Sequence, residues 1–390
     1  MKRLAAVLGD QGKKHWQARM AYRRLAKHLN AMPVGFPRSV SGVEKRILRS
    51  IFTPGEAEAA LHLSYKPEPK DVILARASKK GIPSAEMERR LANMEKNGAL
   101  LIKNPAGEPQ ICLLPFVIGF FETQIASMNA GLYLDTTQYM AEAMGFEYLS
   151  TVPQQMRIVP VEKSITPKHR ISTHDEIRRI IAGAGDSIAL TTCICRKGRD
   201  MLGAPCERTD RRETCMAFHD FGEMYIKNGW ARRIGVDEAM EVIALSEKDG
   251  LVIEVSNEKN PSFACMCCPC CCGVFNMLAA APRPADFVQS NFRAALDSDK
   301  CVLCGKCEKR CPTQAIKIKK DAVKIDLGKC IGCGLCAAAC KPGALTMAPK
   351  TKQETPPEDY SALMDAIMAN KKGLVGKAAS TIRGALGIKR

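Results

Sequence analysis

The stretch CVLCGKCEKRCP, Cys301–Pro312, recurs as CIGCGLCAAACKP at Cys330–Pro342. Both copies read C-x-x-C-x-x-C-x-x-x-C, and their first cysteines lie 29 residues apart. A tight loop with a thiol at every third position turns three sulfurs toward one cubane iron–sulfur cluster, while the fourth, set further along, points to the neighbouring cluster. On that geometry cluster I takes Cys301, Cys304, Cys307 and Cys340, and cluster II takes Cys330, Cys333, Cys336 and Cys311. A short strand-like run follows each copy, Ala315–Ile318 and Ala344–Met347. A zinc ribbon or a disulfide knot is the competing reading, but zinc needs only four thiolates per site and seldom this tripled spacing. In the second copy Lys341 separates the last cysteine from Pro342, which alters the local turn and not the ligand.

Nineteen cysteines in 390 residues, behind an opening apolar run too short for a secretory signal, predict a reducing cytoplasm where such density means metal ligation. The longest apolar stretch, Ile111–Phe121, is too short to span a bilayer and contains Pro115. The formal net charge is +17 with the thiols neutral, and bound clusters, each anionic, would bring it down to roughly +10. Residues 1–50 carry twelve Lys/Arg against two Asp/Glu, and residues 371–390 carry six cations and no acid. Basic ends suit an acidic redox partner protein, nucleic acid or an anionic membrane surface, and composition does not choose among them.

Helix and strand signals divide the first third. Thr53-Pro54-Gly55-Glu56 is a capping box with proline at the first helical position, opening a helix through Leu63. Further helices are predicted over Lys70–Lys80 and Ser84–Asn97, the latter burying Met87, Leu91 and Met94 and ending at Gly98. A hairpin over Ala99–Lys103 and Gln110–Leu114 completes the order of a MarR-type winged helix. Its would-be recognition helix carries Arg89, Arg90 and Lys96 but also Glu86, Glu88 and Glu95, so a docking or dimerisation role is favoured over DNA binding. Cys112, alone in the second strand of the hairpin, reads as a buried apolar residue.

Two further cysteine groups lie mid-chain. The first is Cys193, Cys195, Cys206 and Cys215 in TTCICRKGRDMLGAPCERTDRRETC. Ser187–Thr192 reads as a strand after a helix capped by Thr173 and Glu176, so Cys193 and Cys195 are expected to share one face at its end. A third cubane, a tetrahedral zinc or unligated thiols are the readings, with Arg196, Lys197, Arg199, Arg208, Arg211 and Arg212 offsetting the negative charge. The second group packs Cys265, Cys267, Cys268, Cys270, Cys271 and Cys272 into eight residues, after a helix Asp237–Glu247 and a strand Leu251–Val255. Adjacent cysteines cannot all face one cubane, so some ligate and others line the site. A fourth cluster that draws on the first group, thiol redox chemistry, and a soft ion such as copper or zinc stay open.

Residues from about Asp297 to Ala348 resemble the two-cluster bacterial ferredoxins. The longer series Gly35-Phe36-Pro37, Ser41–Glu44, Thr53–Glu58, Cys193-Ile194-Cys195-Arg196, the cysteine-packed segment near Cys268 and the terminal module is similar to a family of anaerobic bacterial and archaeal 4Fe-4S ferredoxin-type proteins. That resemblance, over about residues 20–348, implies iron–sulfur binding and electron transfer.

The expected architecture is α+β and multidomain: a basic arm (1–44), a winged-helix-like domain (45–118), an α/β cysteine-rich middle domain (119–295), a two-cluster ferredoxin-like domain (296–348) and a basic flexible tail (349–390). In the tail Leu374, Ala378, Ile382 and Leu386 recur at four-residue spacing among cations, the pattern of a helix for an anionic surface. The function expected is low-potential electron transfer through two to four [4Fe-4S] clusters, iron being held by the cysteines named. The competing classes are a reductase or reductive activator acting at Cys265–Cys272, and a redox-sensing DNA-binding regulator. A phosphate loop is absent from the sequence.

Overall fold

A computed structural model describes residues 10–104, 107–161, 164, 176–279, 281–371 and 373. The chain forms two compact units, Met1–Glu147 and Tyr148–Arg390. Among the described residues no helix is long and apolar enough to cross a membrane.

The first unit is helical with one small sheet. Helix α1 (Asp10–Ala31) buries Tyr22, Leu25 and Leu29, so part of the segment expected as a basic arm is core. Helix α2 (Val43–Ile51) buries Val43, Ile47, Leu48 and Ile51 at helical spacing. Helix α3 (Pro54–Ala59) starts at Thr53, whose side chain accepts from the Glu56 N–H while Glu56 caps the Thr53 N–H in return. One three-residue 3-10 turn, Ala60–His62, then ends it. Strand β1 (Glu68–Pro69), helix α4 (Lys70–Ser78), helix α5 (Ser84–Lys96) and strands β2 (Leu100–Lys103) and β3 (Gln110–Leu113) follow. The strands pair antiparallel in the order β1-β3-β2, and Cys112 is buried. Gly98 ends α5 at φ +74°, where a Cβ would strike Thr123.

Helix α6 (Ala130–Tyr139) also belongs to this unit, with Arg46 bound to Asp135 at 2.7 Å. Residues 119–147, assigned by sequence to the middle domain, therefore pack with the N-terminal helices. Phe36, Phe116 and Tyr139 gather there at centroid distances of 4.9–5.8 Å. The signal was present in the aromatic run around Phe116–Phe121 but carried no address.

The second unit is built on a six-stranded sheet: β4 (Met156–Val159), β5 (Ile188–Thr192), β6 (Glu213–Phe218), β7 (Ala231–Ile234), β8 (Val252–Ser256) and β9 (Phe263–Cys267), in the order β4-β8-β9-β6-β5-β7. Every pairing is antiparallel. The region expected as an α/β middle domain thus carries its helices on an antiparallel sheet, in which β5–β6 and β8–β9 are sequence neighbours while β4–β8, β6–β9 and β5–β7 pair across longer connections. Helices α7 (Ile177–Gly183), α8 (Ile194–Met201), α9 (His219–Lys227) and α10 (Val236–Asp249) connect the strands. Ile180, Ile181, Ile243, Leu190, Met216 and Met266 share one core. Thr173 of the expected capping box lies outside the described residues.

Helix α11 (Gly273–Ala279) leads to strand β10 (Phe292–Leu296), which pairs antiparallel with β13 (Leu345–Pro349). Between them lie helix α12 (Lys306–Arg310), the hairpin β11 (Ile316–Lys319) with β12 (Ala322–Ile325), and helix α13 (Leu335–Ala338). The chain does not become a loose tail at residue 349. Helix α14 (Tyr360–Ala369), capped by Asp359, buries Tyr360, Leu363, Met364 and Ile367, and Tyr360 meets Phe221 at 5.2 Å. The i, i+3, i+4, i+7 stripe that drives this helix is plain in the sequence; the stripe from Leu374 onward lies outside the described residues.

Candidate metal centres

The two quoted copies surround two cavities. One is lined by Cys301, Cys304, Cys307 and Cys340; the other is lined by Cys311, Cys330, Cys333 and Cys336. Each thus takes three thiols from one copy and one from the other. In both copies a glycine at positive φ, Gly305 at +75° and Gly334 at +76°, turns the loop into a short helix. Between the cavities Phe292, Ala294, Ile316, Leu345 and Met347 form one apolar core. Backbone N–H groups reach the sulfurs: Ala294 donates to Cys330 at 3.4 Å and Ala315 to Cys311 at 3.1 Å. Burial pushes the Cys333 thiol up to about 12 and raises Cys336 as well, so these sulfurs keep their protons until a metal displaces them. Four thiols around apolar walls with N–H donors at sulfur is a donor set that fits a 4Fe-4S cluster in each cavity.

The ten mid-chain cysteines also form two groups, but not those that the sequence suggests. Cys206 leaves Cys193, Cys195 and Cys215 and joins Cys268, Cys270 and Cys271. The other six close into a ring of thiol contacts that runs from Cys193 to Cys195, Cys272, Cys267, Cys265, Cys215 and back to Cys193.

The sheet explains the sorting. Cys215 in β6 stands opposite Cys265 in β9, which stands opposite Glu254 in β8, so three neighbouring strands carry the three residues in one row. Cys265 and Cys267 share that face because side chains alternate along a strand, while Met216, Ala264 and Met266 enter the core on the other side. Beyond Cys267 the chain turns, with the Cys272 N–H donating to the Cys268 carbonyl at 3.1 Å. Cys268 and Cys271 thereby join the core with Cys206, and Cys272 returns to the ring. Cys193 and Cys195 do not lie on a strand: β5 ends at Thr192, Cys193 is the cap of α8, and Cys195 lies in its first turn. Helical geometry, not strand alternation, brings them to the ring.

Charge divides the two groups. Arg196, fully buried, donates from Nε to Cys206 Sγ at 3.4 Å and from Nη2 to Cys268 Sγ at 3.3 Å and the Met266 carbonyl at 3.0 Å, with Nη1 on Thr214. Of the other cations expected to surround the thiols, Arg211 and Arg212 bind the carboxylates of Asp249 and Asp200. Within the four-thiol group, the Cys271 contact, joined by Arg196, holds Cys268 down to about 5, and burial pushes Cys270 up to about 11. Within the ring, contacts from Cys195 and Cys215 hold Cys193 low, and Cys195 and Cys215 rise in return. Glu254, which the sequence reading missed, lies close to Cys267 and Cys272. Burial pushes its carboxyl up to about 7 against the contact with Cys267. A glutamate in an otherwise apolar strand, VIEVS, is the signal that marked it.

The ring adjoins one of the two cavities. Cys272 and Cys267 pack in the same apolar cluster as Ile331, Cys333 and Leu335, and the Val161 N–H donates to the Cys333 carbonyl at 3.1 Å. Arg310, next to Cys311, donates to the carbonyl of Lys248 at the end of α10 at 2.6 Å, which ties the first copy to that helix.

The family model of the 4Fe-4S dicluster domain matches residues 293–341, a span that contains all eight cysteines of the two copies. No curated protein and no solved structure matches the chain. Together with the thiol groups, the match identifies an iron–sulfur protein that binds 4Fe-4S cofactor and has the makings of an electron carrier.

Proposed function

We propose that this protein is a low-potential electron carrier with two [4Fe-4S] clusters, one held by Cys301, Cys304, Cys307 and Cys340 and the other by Cys330, Cys333, Cys336 and Cys311, and with the six-thiol ring as a further metal–thiolate centre. The observation that carries the reading is the apolar cluster shared by Cys333 with Cys267 and Cys272. Centres that exchange electrons need short, dry separation, and these side chains exclude water between the second cavity and the ring. Bound in the two cavities, such clusters supply one-electron chemistry whose potential follows burial and hydrogen bonding to sulfur. The first cavity is the outward one: Cys304, Val302 and Leu303 are exposed, and Val302 is 67% accessible. Lys306 and Lys309 in the same copy suit an acidic protein partner.

Iron, acid-labile sulfide and low-temperature paramagnetic resonance on anaerobic full-length protein test the reading. The expected result is at least eight iron with eight sulfide in the two cavities, at four per cluster, and a spectrum in which Cys333→Ser alters the signal from the ring. A ring without iron, or one whose signal ignores Cys333→Ser, would remove it from the electron path.

One observation favours a second reading of the ring as a reductase site. Glu254, holding a proton until about pH 7 beside Cys267 and Cys272, is placed to couple a proton to an electron. Reduction of a small acceptor by the chemically reduced protein, without any partner, would favour it. The first unit is read as a winged-helix docking module. Supporting this, Arg89 and Arg90 of α5 both bind Glu86, at 2.6 and 2.7 Å, and Lys70 binds Glu88 at 2.8 Å. Cations so engaged offer little to a phosphate backbone, and weak, sequence-independent DNA retention is the expectation. A base-specific complex lost on Arg89→Ala would restore the regulator reading.

A further inference from the structure

We infer that Cys206, Cys268, Cys270 and Cys271 hold one tetrahedral divalent ion, zinc or ferrous iron, and not a cluster.

The argument begins with spacing. Thiolates bound to one tetrahedral ion at about 2.3 Å lie about 3.8 Å from one another, the edge of the tetrahedron. Here Cys206 lies 3.7 Å from both Cys268 and Cys270, Cys270 lies 3.5 Å from Cys268 and 3.7 Å from Cys271, and all four sulfurs fall within 4.8 Å of one another. A cubane places its own iron and sulfide between its ligands and spreads them apart. The same protein provides that contrast, because the eight thiols of the dicluster segment line cavities instead of touching in fours.

Ligand chemistry agrees. Four cysteines with tetrahedral spacing select zinc or iron over the harder cations. Cys206, Cys268 and Cys271 are buried and Cys270 half-buried, so the site is closed, with no position for a substrate, as in structural centres. Binding as thiolates displaces the thiol protons still held and leaves the divalent centre with a net charge of about −2. The Arg196 guanidinium, on two of the four sulfurs, offsets part of it.

The site also accounts for six cysteines in eight residues. Cys265, Cys267 and Cys272 belong to the ring, and Cys268, Cys270 and Cys271 belong to the ion. An ion here clamps the turn from both ends to Cys206, which comes from the loop between α8 and β6, and so fixes the spacing of the ring ligands on either side.

The test uses full-length protein purified anaerobically, with metals and acid-labile sulfide measured on one sample. Cys206→Ser and Cys270→Ser are each expected to lose one metal equivalent per chain while sulfide is unchanged, the retained sulfide showing that the fold persists. Loss of iron and sulfide together in equal amounts, or no loss of metal, would overturn the inference. Unaltered protein keeps the test decisive if the variants fail to fold. X-ray absorption at the zinc edge should give four sulfurs at about 2.3 Å with no iron neighbour, or, if the ion is iron, Mössbauer spectra should contain one high-spin tetrahedral ferrous site. Absence of both signatures would overturn it equally.

Discussion

Arg196 donates from Nη2 to Cys268 Sγ at 3.3 Å, with none of its surface exposed. Burial alone would favour neutral arginine, but the sulfurs of Cys193 and Cys268 and the bond to Cys206 outweigh it and hold the guanidinium charged. It is the counter-ion of the buried thiol groups on either side. Removing one partner of a buried ion pair typically costs about 3–5 kcal/mol because the other charge is stranded. Arg196→Met is therefore expected to lower the thermal midpoint and to lose metal from the four-thiol site first. Arg196→Lys should recover only part of both, since a single ammonium cannot reach two sulfurs, Thr214 and the Met266 carbonyl in one plane. Matched midpoints for all three proteins, at equal metal loading, would remove the arginine from the support of the site.

The two dicluster copies are not equally tolerant at their glycines. Gly305 and Gly334 have the same backbone, φ +75° and +76°, but a Cβ on Gly305 meets nothing within 4 Å, whereas one on Gly334 falls 2.3 Å from Ser164 Oγ. Gly332 is less forgiving still, because the atom at 2.4 Å is the backbone carbonyl of Phe292, and its counterpart in the first copy is Leu303 at φ +54°. The left-handed conformation costs roughly 1–2 kcal/mol in either place, so the difference between copies measures the contact. Gly332→Ala and Gly334→Ala should each lower iron by about four per chain, one cluster's worth, and Gly305→Ala should keep the full complement. Equal iron loss at Gly305 and Gly334 would mean that backbone conformation, not packing, decides.

The sequence exposes local rules and hides addresses. The eight dicluster cysteines were legible because ligand spacing is set within one loop, and the Thr53 cap because its two hydrogen bonds span three residues. The pairing of Cys206 with Cys268 was not, since 62 residues separate them and only the antiparallel order β9-β6-β5 brings their segments together. Strand alternation was expected at Cys193 and Cys195, where β5 has already ended, and not at Cys265 and Cys267, where β9 supplies it. Helix α14 was overlooked for another reason: its stripe is plain residue by residue, but the cations beyond it set the character of the whole tail in composition.

Helix α14 seals the thiol strand from the side. Tyr360 meets Phe221 edge to face, and Phe221 meets Phe263 at a tilt with centroids 4.4 Å apart, two residues before Cys265 on β9. Burying a large apolar side chain is worth about 1.5–3 kcal/mol, and Tyr360, Leu363, Met364 and Ile367 are all buried. Deletion of residues 351–390 is expected to lower the midpoint by many degrees and to deplete metal in the ring. Deletion of residues 374–390, which spares the helix, should leave both unchanged. If the longer deletion is harmless, α14 contributes nothing to the sheet.

Glu254 gives the ring a pH dependence of definite sign. Burial raises its carboxyl from the ordinary 4.5 to about 7, so across that window the folded protein holds a proton that the unfolded chain has released. The unfolded state binds fewer protons there, and stability falls as pH rises from about 4.5 to about 7, then levels off. Over the whole window the loss is about 3 kcal/mol, since each pH unit between the folded and unfolded values contributes about 1.36 kcal/mol. Glu254→Gln stays neutral throughout and keeps a hydrogen-bonding group next to Cys267. Its stability relative to the parent should therefore be close to even near pH 4.5, rise toward pH 7 and remain constant above it. Denaturation at matched metal loading across pH 5–8 measures this difference, in which other titrating groups cancel. A difference that does not change with pH would mean that the carboxyl is already ionised beside the thiols, and Glu254 would then be a candidate metal ligand and not a proton donor.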